Sequence, residues 1–140
     1  MTDQSFITVK EVMTPDPVTI DGLANIHKAL NLMETHKISA LVIDRRYEGD
    51  EYGMITVKDI AEKIIGANRS IDRSSVYEIM TKPVLTLSSG MDIKYAIRLL
   101  SRFSLSRALV TELGVMVGIV SLRDMTVRFI RADAKKNSSG

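Results

Sequence analysis

The sequence says the same thing twice. Val9-Lys10-Glu11-Val12-Met13-Thr14 returns as Val76-Tyr77-Glu78-Ile79-Met80-Thr81, and Gly53-Met54-Ile55-Thr56-Val57-Lys58-Asp59-Ile60 returns as Gly118-Ile119-Val120-Ser121-Leu122-Arg123-Asp124-Met125. Residues 9–44 align with 76–111 without a gap, and residues 53–65 with 118–130. The second copy loses two residues between these blocks. An internal repeat constrains the fold more than composition does. One copy of roughly 55 residues buries too little surface to be comfortably stable alone. Two copies sharing one core, packed about a pseudo-two-fold axis, are therefore expected, and that symmetry would create two equivalent clefts.

Composition narrows the function classes. The chain has 140 residues, 45% of them hydrophobic and 26% charged, with a net charge of +2. So small a net charge gives no reason to expect a polyanionic partner. Cysteine is absent, which removes disulfides and thiolate chemistry and fits the cytoplasm. No apolar run is long enough for a membrane span. The opening Met1-Thr2-Asp3-Gln4-Ser5 lacks the basic and apolar regions of a signal peptide.

Each repeat reads strand, helix, strand, strand, helix. In the first, Val18-Thr19-Ile20 is a short strand and Asp21 is placed to cap the helix that follows. Ile26, Ala29, Leu30 and Met33 mark one face of that helix. Ala40-Leu41-Val42-Ile43 and Met54-Ile55-Thr56-Val57 are strands, and a second helix opens at Asp59 with Ile60, Ala61, Ile64 and Ile65 as its apolar face. The second repeat follows the same plan, with strands near Leu85–Leu87, Ala108–Val110 and Gly118–Val120. Its helices carry Ile93, Ala96, Ile97 and Leu100, then Met125, Phe129 and Ile130. The expected organisation is repeat one over 7–66, a linker over 67–75, repeat two over 76–131, and a flexible tail over 132–140, with residues 1–6 frayed as well.

Three elements can carry chemistry. The first is Gly-x-x-Thr/Ser-x-x-Asp, Gly53 to Asp59 and Gly118 to Asp124, leaving a strand and entering a helix. Thr/Ser-x-x-Asp is the pattern of a capping box. The same geometry suits a nucleotide: a helix N-terminus with a hydroxyl favours phosphate, and a carboxylate there can accept from both ribose hydroxyls. The second is Met13-Thr14-Pro15-Asp16-Pro17-Val18 with its echo Met80-Thr81-Lys82-Pro83-Val84-Leu85. Proline holds the chain extended there, so that backbone can meet a base edge while Val18 or Leu85 packs on its face; a rigid entry to a core strand is the plainer reading. The third is Ile38-Ser39-Ala40 and Leu105-Ser106-Arg107, whose hydroxyls and guanidinium could reach phosphate, as could Lys58 and Arg123; solvated surface is the alternative.

Met13-Thr14-Pro15 with Met80-Thr81-Lys82-Pro83, Ile38-Ser39-Ala40-Leu41-Val42-Ile43-Asp44 with its looser counterpart over 105–111, and the two copies of Gly-x-x-Thr/Ser-x-x-Asp, in this order, resemble a tandem pair of cystathionine-β-synthase-type (CBS) domains, a Bateman module, over about residues 7–131. The resemblance implies an α/β (α+β) fold of two βαββα CBS repeats about a pseudo-two-fold axis. It also implies binding of adenine nucleotides or adenosyl compounds such as AMP, ADP, ATP or S-adenosylmethionine, and frequent association of pairs. By analogy one cleft takes Thr14, Val18 and Ser39 with Ser121 and Asp124, and the other Thr81, Leu85 and Ser106 with Thr56 and Asp59. Asp59 and Asp124 would hold ribose, and Thr56, Ser121, Arg107, Lys58 and Arg123 would serve phosphate. Arg107 is expected to reach the Asp124 cleft across the pseudo-two-fold. Val42 and Ser106 depart from the Pro or His found in family members around the second strand, which weakens the phosphate assignments.

Catalytic machinery is not evident. His27 and His36 have no nucleophile or carboxylate partner visible in the sequence, no third ligand accompanies them for zinc, and no Gly-rich phosphate loop occurs. The chain is expected to be a regulatory module without catalytic residues, cofactor or metal. It is expected to form a homodimer, and either to act on a separate effector protein, to change its own assembly, or to be a fragment of a longer chain. A pure interaction module and a nucleic-acid-binding module are the alternatives, the latter lacking an aromatic platform.

Overall fold

The computed structural model describes residues 6–138. Along the chain, α1 (Val9–Val12) and β1 (Thr14–Pro15) precede β2 (Thr19–Ile20), α2 (Ile26–His36), β3 (Ala40–Ile43), β4 (Gly53–Thr56) and α3 (Val57–Ile60), which runs into a π-helical turn over Ala61–Ile65. Then come α4 (Val76–Ile79), β5 (Thr86–Ser88), α5 (Ile93–Arg102), β6 (Arg107–Glu112), β7 (Val115–Ser121) and α6 (Leu122–Ser138). The chain forms two compact units that cut across the repeats: one runs from Pro17 to Val84, and the other joins the residues up to Asp16 to those from Leu85 onward. Each unit thus takes the body of one repeat and the entry segment of the other.

In the continuous unit β2 is parallel to β3 and β3 antiparallel to β4, with Ala40 opposite Thr56. Ile26, Ala29 and Met33 of α2 are buried with Leu41, Ile43, Ile55, Ile64, Val76 and Ile79. The i, i+3, i+7 spacing therefore selects the buried face, each fully buried aliphatic contributing about 1.5–3 kcal/mol. Leu30, expected on that face, is exposed. The cap of α2 is Asn25, whose side chain accepts the Lys28 N–H at 2.8 Å, not Asp21. Asp21 instead accepts the Leu23 N–H at 2.8 Å and shapes the turn ahead of the helix. Asp50 fastens the turn between β3 and β4. It accepts from the Arg46 and Glu51 backbone N–H groups and from Lys82 at 3.1 Å, and the Arg46 N–H above all holds its pKa below the usual value.

The other unit orders its sheet β1-β7-β6-β5. Val9, Leu87, Ile93, Ala96, Leu100, Val110, Val120 and Met125 form its core. A capping box opens α1: the Glu11 carboxylate accepts the Thr8 N–H at 2.9 Å, and this bond lowers the Glu11 pKa.

Two expectations change. The flexible tail expected from residue 132 is helical as far as Ser138, the end of the 17-residue α6. Residues 1–5, expected to be frayed, lie outside the described residues. The apolar faces of the closing helices are narrower than the sequence suggested. Ile64 and Met125 are fully buried, whereas Ile65 is 69% and Ile130 61% exposed, since Ile65 directly follows Ile64 and Ile130 stands five residues beyond Met125, so that each points away from the buried side.

Candidate functional site

Both copies of Gly-x-x-Thr/Ser-x-x-Asp lie where a strand ends and a helix starts, β4 into α3 and β7 into α6. The glycine is explained by packing. A Cβ at Gly118 would overlap the Met13 sulfur and lie 2.9 Å from the Thr14 carbonyl oxygen, since β1 crosses β7 there with Pro15 opposite Gly118. Gly53 has the same role in milder form, with Met80 Sδ at 3.0 Å and the Thr81 carbonyl at 3.4 Å. The bare backbone admits the Met-Thr segment of the other repeat, so two sequence motifs are two sides of one contact.

In the continuous unit the capping box is complete. The Asp59 N–H donates to the Thr56 hydroxyl at 3.1 Å, and Asp59 Oδ2 accepts the Thr56 N–H at 3.0 Å and the Thr56 hydroxyl at 3.1 Å. Thr81, tied to Met54 by paired backbone bonds of 2.8 and 2.9 Å, donates its hydroxyl to Asp59 Oδ1 at 3.4 Å. Lys63 Nζ lies 3.1 Å from the same oxygen. Asp59 is only 9% exposed. Lys58 projects into solvent near Glu62 at 4.0 Å. Ser39 is exposed at the start of β3, where its carbonyl accepts the Val57 N–H at 3.0 Å, and it borders an open, mostly apolar groove of about 420 Å³ with Leu30, Met33, Ile38 and Val57. Val18 is half-buried before β2, its carbonyl bound to the Val42 N–H at 3.0 Å.

The other unit gathers Thr14, Ser106, Arg107, Ser121, Arg123 and Asp124. Thr14 is exposed on β1 opposite Ile119 of β7. Arg107, first residue of β6, is the ladder partner of Ser121, and the Ser106 carbonyl accepts the Leu122 N–H at 2.8 Å. Ser121 caps α6 by accepting the Asp124 N–H at 3.0 Å. The Asp124 side chain is 48% exposed, with Arg123 Nη1 3.6 Å from Oδ1. Leu85 stands at the entry to β5, half-buried, with its carbonyl bound to the Leu109 N–H at 3.0 Å.

Each expected set is thus divided. Thr14 shares a unit with Ser121 and Asp124, while Val18 and Ser39 belong to the other unit. Thr81 shares a unit with Thr56 and Asp59, while Leu85 and Ser106 belong elsewhere. Arg107 joins Ser121 through the β6–β7 ladder of its own unit, where the sequence suggested a contact across the pseudo-two-fold. His27 has a carboxylate neighbour that the sequence concealed: Nε2 is 3.4 Å from Asp72, both side chains exposed. Lys63 lies outside the repeated motifs, and the signal that points to it is the i, i+4 spacing from Asp59, which pairs charges on a helix.

The doubled elements now have a common origin. The family model for the CBS domain matches residues 9–66 and 76–130. The chain belongs to the CBS-domain family. It is 32% identical to the hexameric CBS-CP12 protein from bloom-forming cyanobacteria, with a TM-score of 0.82 over 88% of this chain and 71% of that one. It is also similar to a CBS domain pair solved in complex with 5′-methylthioadenosine and S-adenosyl-L-methionine: 26% identity, TM-score 0.77, covering 89% of this chain and 96% of that one. Over 139 residues it is 27% identical to a 33.4 kDa protein in a ribosomal RNA operon of Thermofilum pendens. That alignment takes in 91% of this chain but spans only 45% of that relative. Among the described residues, no helix is long and apolar enough to cross a membrane.

Proposed function

We infer that the chain is a regulatory module, not an enzyme, which binds an adenosine-containing ligand at the Ser121–Asp124 motif and passes its occupancy to a separate protein or to its own assembly. The observation that carries this reading is the Asp124 carboxylate. It stands half-exposed in the first turn of a long helix, in a unit that also presents Thr14 and Arg107. Such a carboxylate suits a vicinal ribose diol, which offers two hydroxyl donors. Ser121 and the guanidinium groups of Arg107 and Arg123 suit a phosphate or another negative group on the same ligand. The adenosyl compounds held by the similar CBS pair support the ligand class.

A thermal-shift panel of AMP, ADP, ATP, S-adenosylmethionine and NAD tests the reading. At a hundred times its dissociation constant, a ligand adds about 2.7 kcal/mol to the stability of a one-site protein, which is several degrees in melting temperature. A panel silent at millimolar concentration removes the ligand class and leaves a module that works through protein contacts alone.

A further inference from the structure

The cations at matching places in the two repeats, Lys63 and Arg128, take different partners. Asp59 has every acceptor position engaged: Oδ2 by the Thr56 N–H and hydroxyl, and Oδ1 by Lys63 at 3.1 Å and the Thr81 hydroxyl at 3.4 Å. A carboxylate has about four lone-pair sites, so a ribose diol arriving there meets a filled group. Lys63 is anchored a second time, donating to the Ile79 carbonyl at 3.0 Å.

The repeat alignment sets Arg128 opposite Lys63. Arg128 makes the other choice. Its Nη1 donates to the Glu11 carbonyl at 3.4 Å and its Nη2 lies 3.9 Å from the Glu11 carboxylate. The counterpart of Glu11 is Glu78, and Glu78 is already paired with Arg69 at 2.8 Å. Lys63 lies instead on Asp59, one turn back on its own helix, at 3.1 Å.

We propose that Lys63 is an internal plug that withdraws the Asp59 motif from ligand binding, so that each chain takes one adenosyl ligand, at Asp124. The proposal rests on the adenosyl reading above. At Asp59 a ribose must displace an ammonium and a hydroxyl from a nearly buried carboxylate, exchanging an ion pair for hydrogen bonds from neutral donors. At Asp124 the carboxylate is half-exposed, and its neighbour Arg123, 3.6 Å away, is itself 84% exposed and screened by solvent.

Equilibrium dialysis of the full chain against AMP, and separately against S-adenosylmethionine, provides the test. The unmodified chain should bind one equivalent of at least one of these probes, lost in Asp124→Ala. Lys63→Met keeps the aliphatic stem and removes the ammonium. It should bind two equivalents, as should Lys63→Ala, each variant first shown to melt cooperatively. Two equivalents in the unmodified chain, or one in both Lys63 variants, overturns the plug and leaves the adenosyl reading standing. No binding of either probe to any of these chains overturns both.

Discussion

Replacing each motif aspartate by alanine separates capping from ligand binding, because the two carboxylates are built in so differently. Asp59→Ala removes acceptors from the Thr56 N–H and hydroxyl, the Thr81 hydroxyl and Lys63, at a site 9% exposed. Loss of the carboxylate half of the capping box costs about 1 kcal/mol. Leaving partly buried donors without a partner adds about 1–2 kcal/mol. The total of about 2–3 kcal/mol lowers the melting temperature by roughly 6–12 °C in a chain of this length. Asp124→Ala is different. The bond that caps α6 runs from the Asp124 N–H to the Ser121 hydroxyl and survives the substitution. What is lost is mainly the favourable placement of a negative charge in the first turn, about 0.3–1 kcal/mol, or roughly 1–4 °C. Circular-dichroism melts of the two variants, without ligand, give the comparison. Calorimetry completes it: Asp124→Ala should weaken an adenosyl ligand by about 10- to 150-fold, the loss of a charged hydrogen bond to ribose. Equal stability losses, or a large loss in Asp124→Ala with unchanged affinity, would refute the assignment of Asp124 as the ligand carboxylate.

Arg107→Ala should weaken AMP by roughly 5- to 30-fold while leaving adenosine within about twofold, since only a partly exposed phosphate contact of about 1–2 kcal/mol is lost; parallel titrations with the two ligands decide it. Gly118→Ala should destabilise by about 1–3 kcal/mol, and by more than Gly53→Ala, because its Cβ meets the Thr14 backbone at 2.9 Å where that of Gly53 meets the Thr81 backbone at 3.4 Å; thermal melts of the two variants rank them. The depressed pKa values of Glu11, set first by the Thr8 N–H, and of Asp50, set first by the Arg46 N–H, give stability that is complete above the unfolded values and lost as pH falls through the folded ones. The melting temperature should therefore drop between about pH 5 and pH 3, and Glu11→Gln combined with Asp50→Asn should flatten the profile. Ile65 and Ile130, each more than 60% exposed, are proposed to drive self-association; sedimentation of Ile65→Lys with Ile130→Lys should show a smaller species than the unmodified chain.

What the sequence revealed and what it hid divide along a physical line. Periodicity located α2 and α5, because burial of one helix face leaves a mark at every third or fourth residue, while an unbroken apolar run located β3 and its repeat match pointed to β7. Local pairs were legible too: Thr56 with Asp59 lies within one helical turn, and its bonds form as a capping box. The exchange of entry segments left no such mark. Thr14 lies against β7 and Thr81 against β4 because Gly118 and Gly53 leave room for them. Glycine in a strand signals only that something comes close, not what. The partition of cations was harder still. Lys63 lies on Asp59 while Arg69 holds Glu78, and Arg128, the counterpart of Lys63, lies on Glu11. No spacing rule contains that partition, since Arg69–Glu78 and Arg128–Glu11 each join different parts of the chain. On the proposal above, two copies of one motif diverge with the motif itself intact, through a single residue outside it. The consequence can be measured in the charge partners alone: Arg69→Ala frees Glu78, so Lys63 should move from Asp59 toward Glu78. The NMR carboxyl signal of Asp59 would then change while that of Asp124 stays put. An unchanged Asp59 signal would mean that Lys63 prefers Asp59 even when Glu78 is open, and that the competition has no part in filling the site.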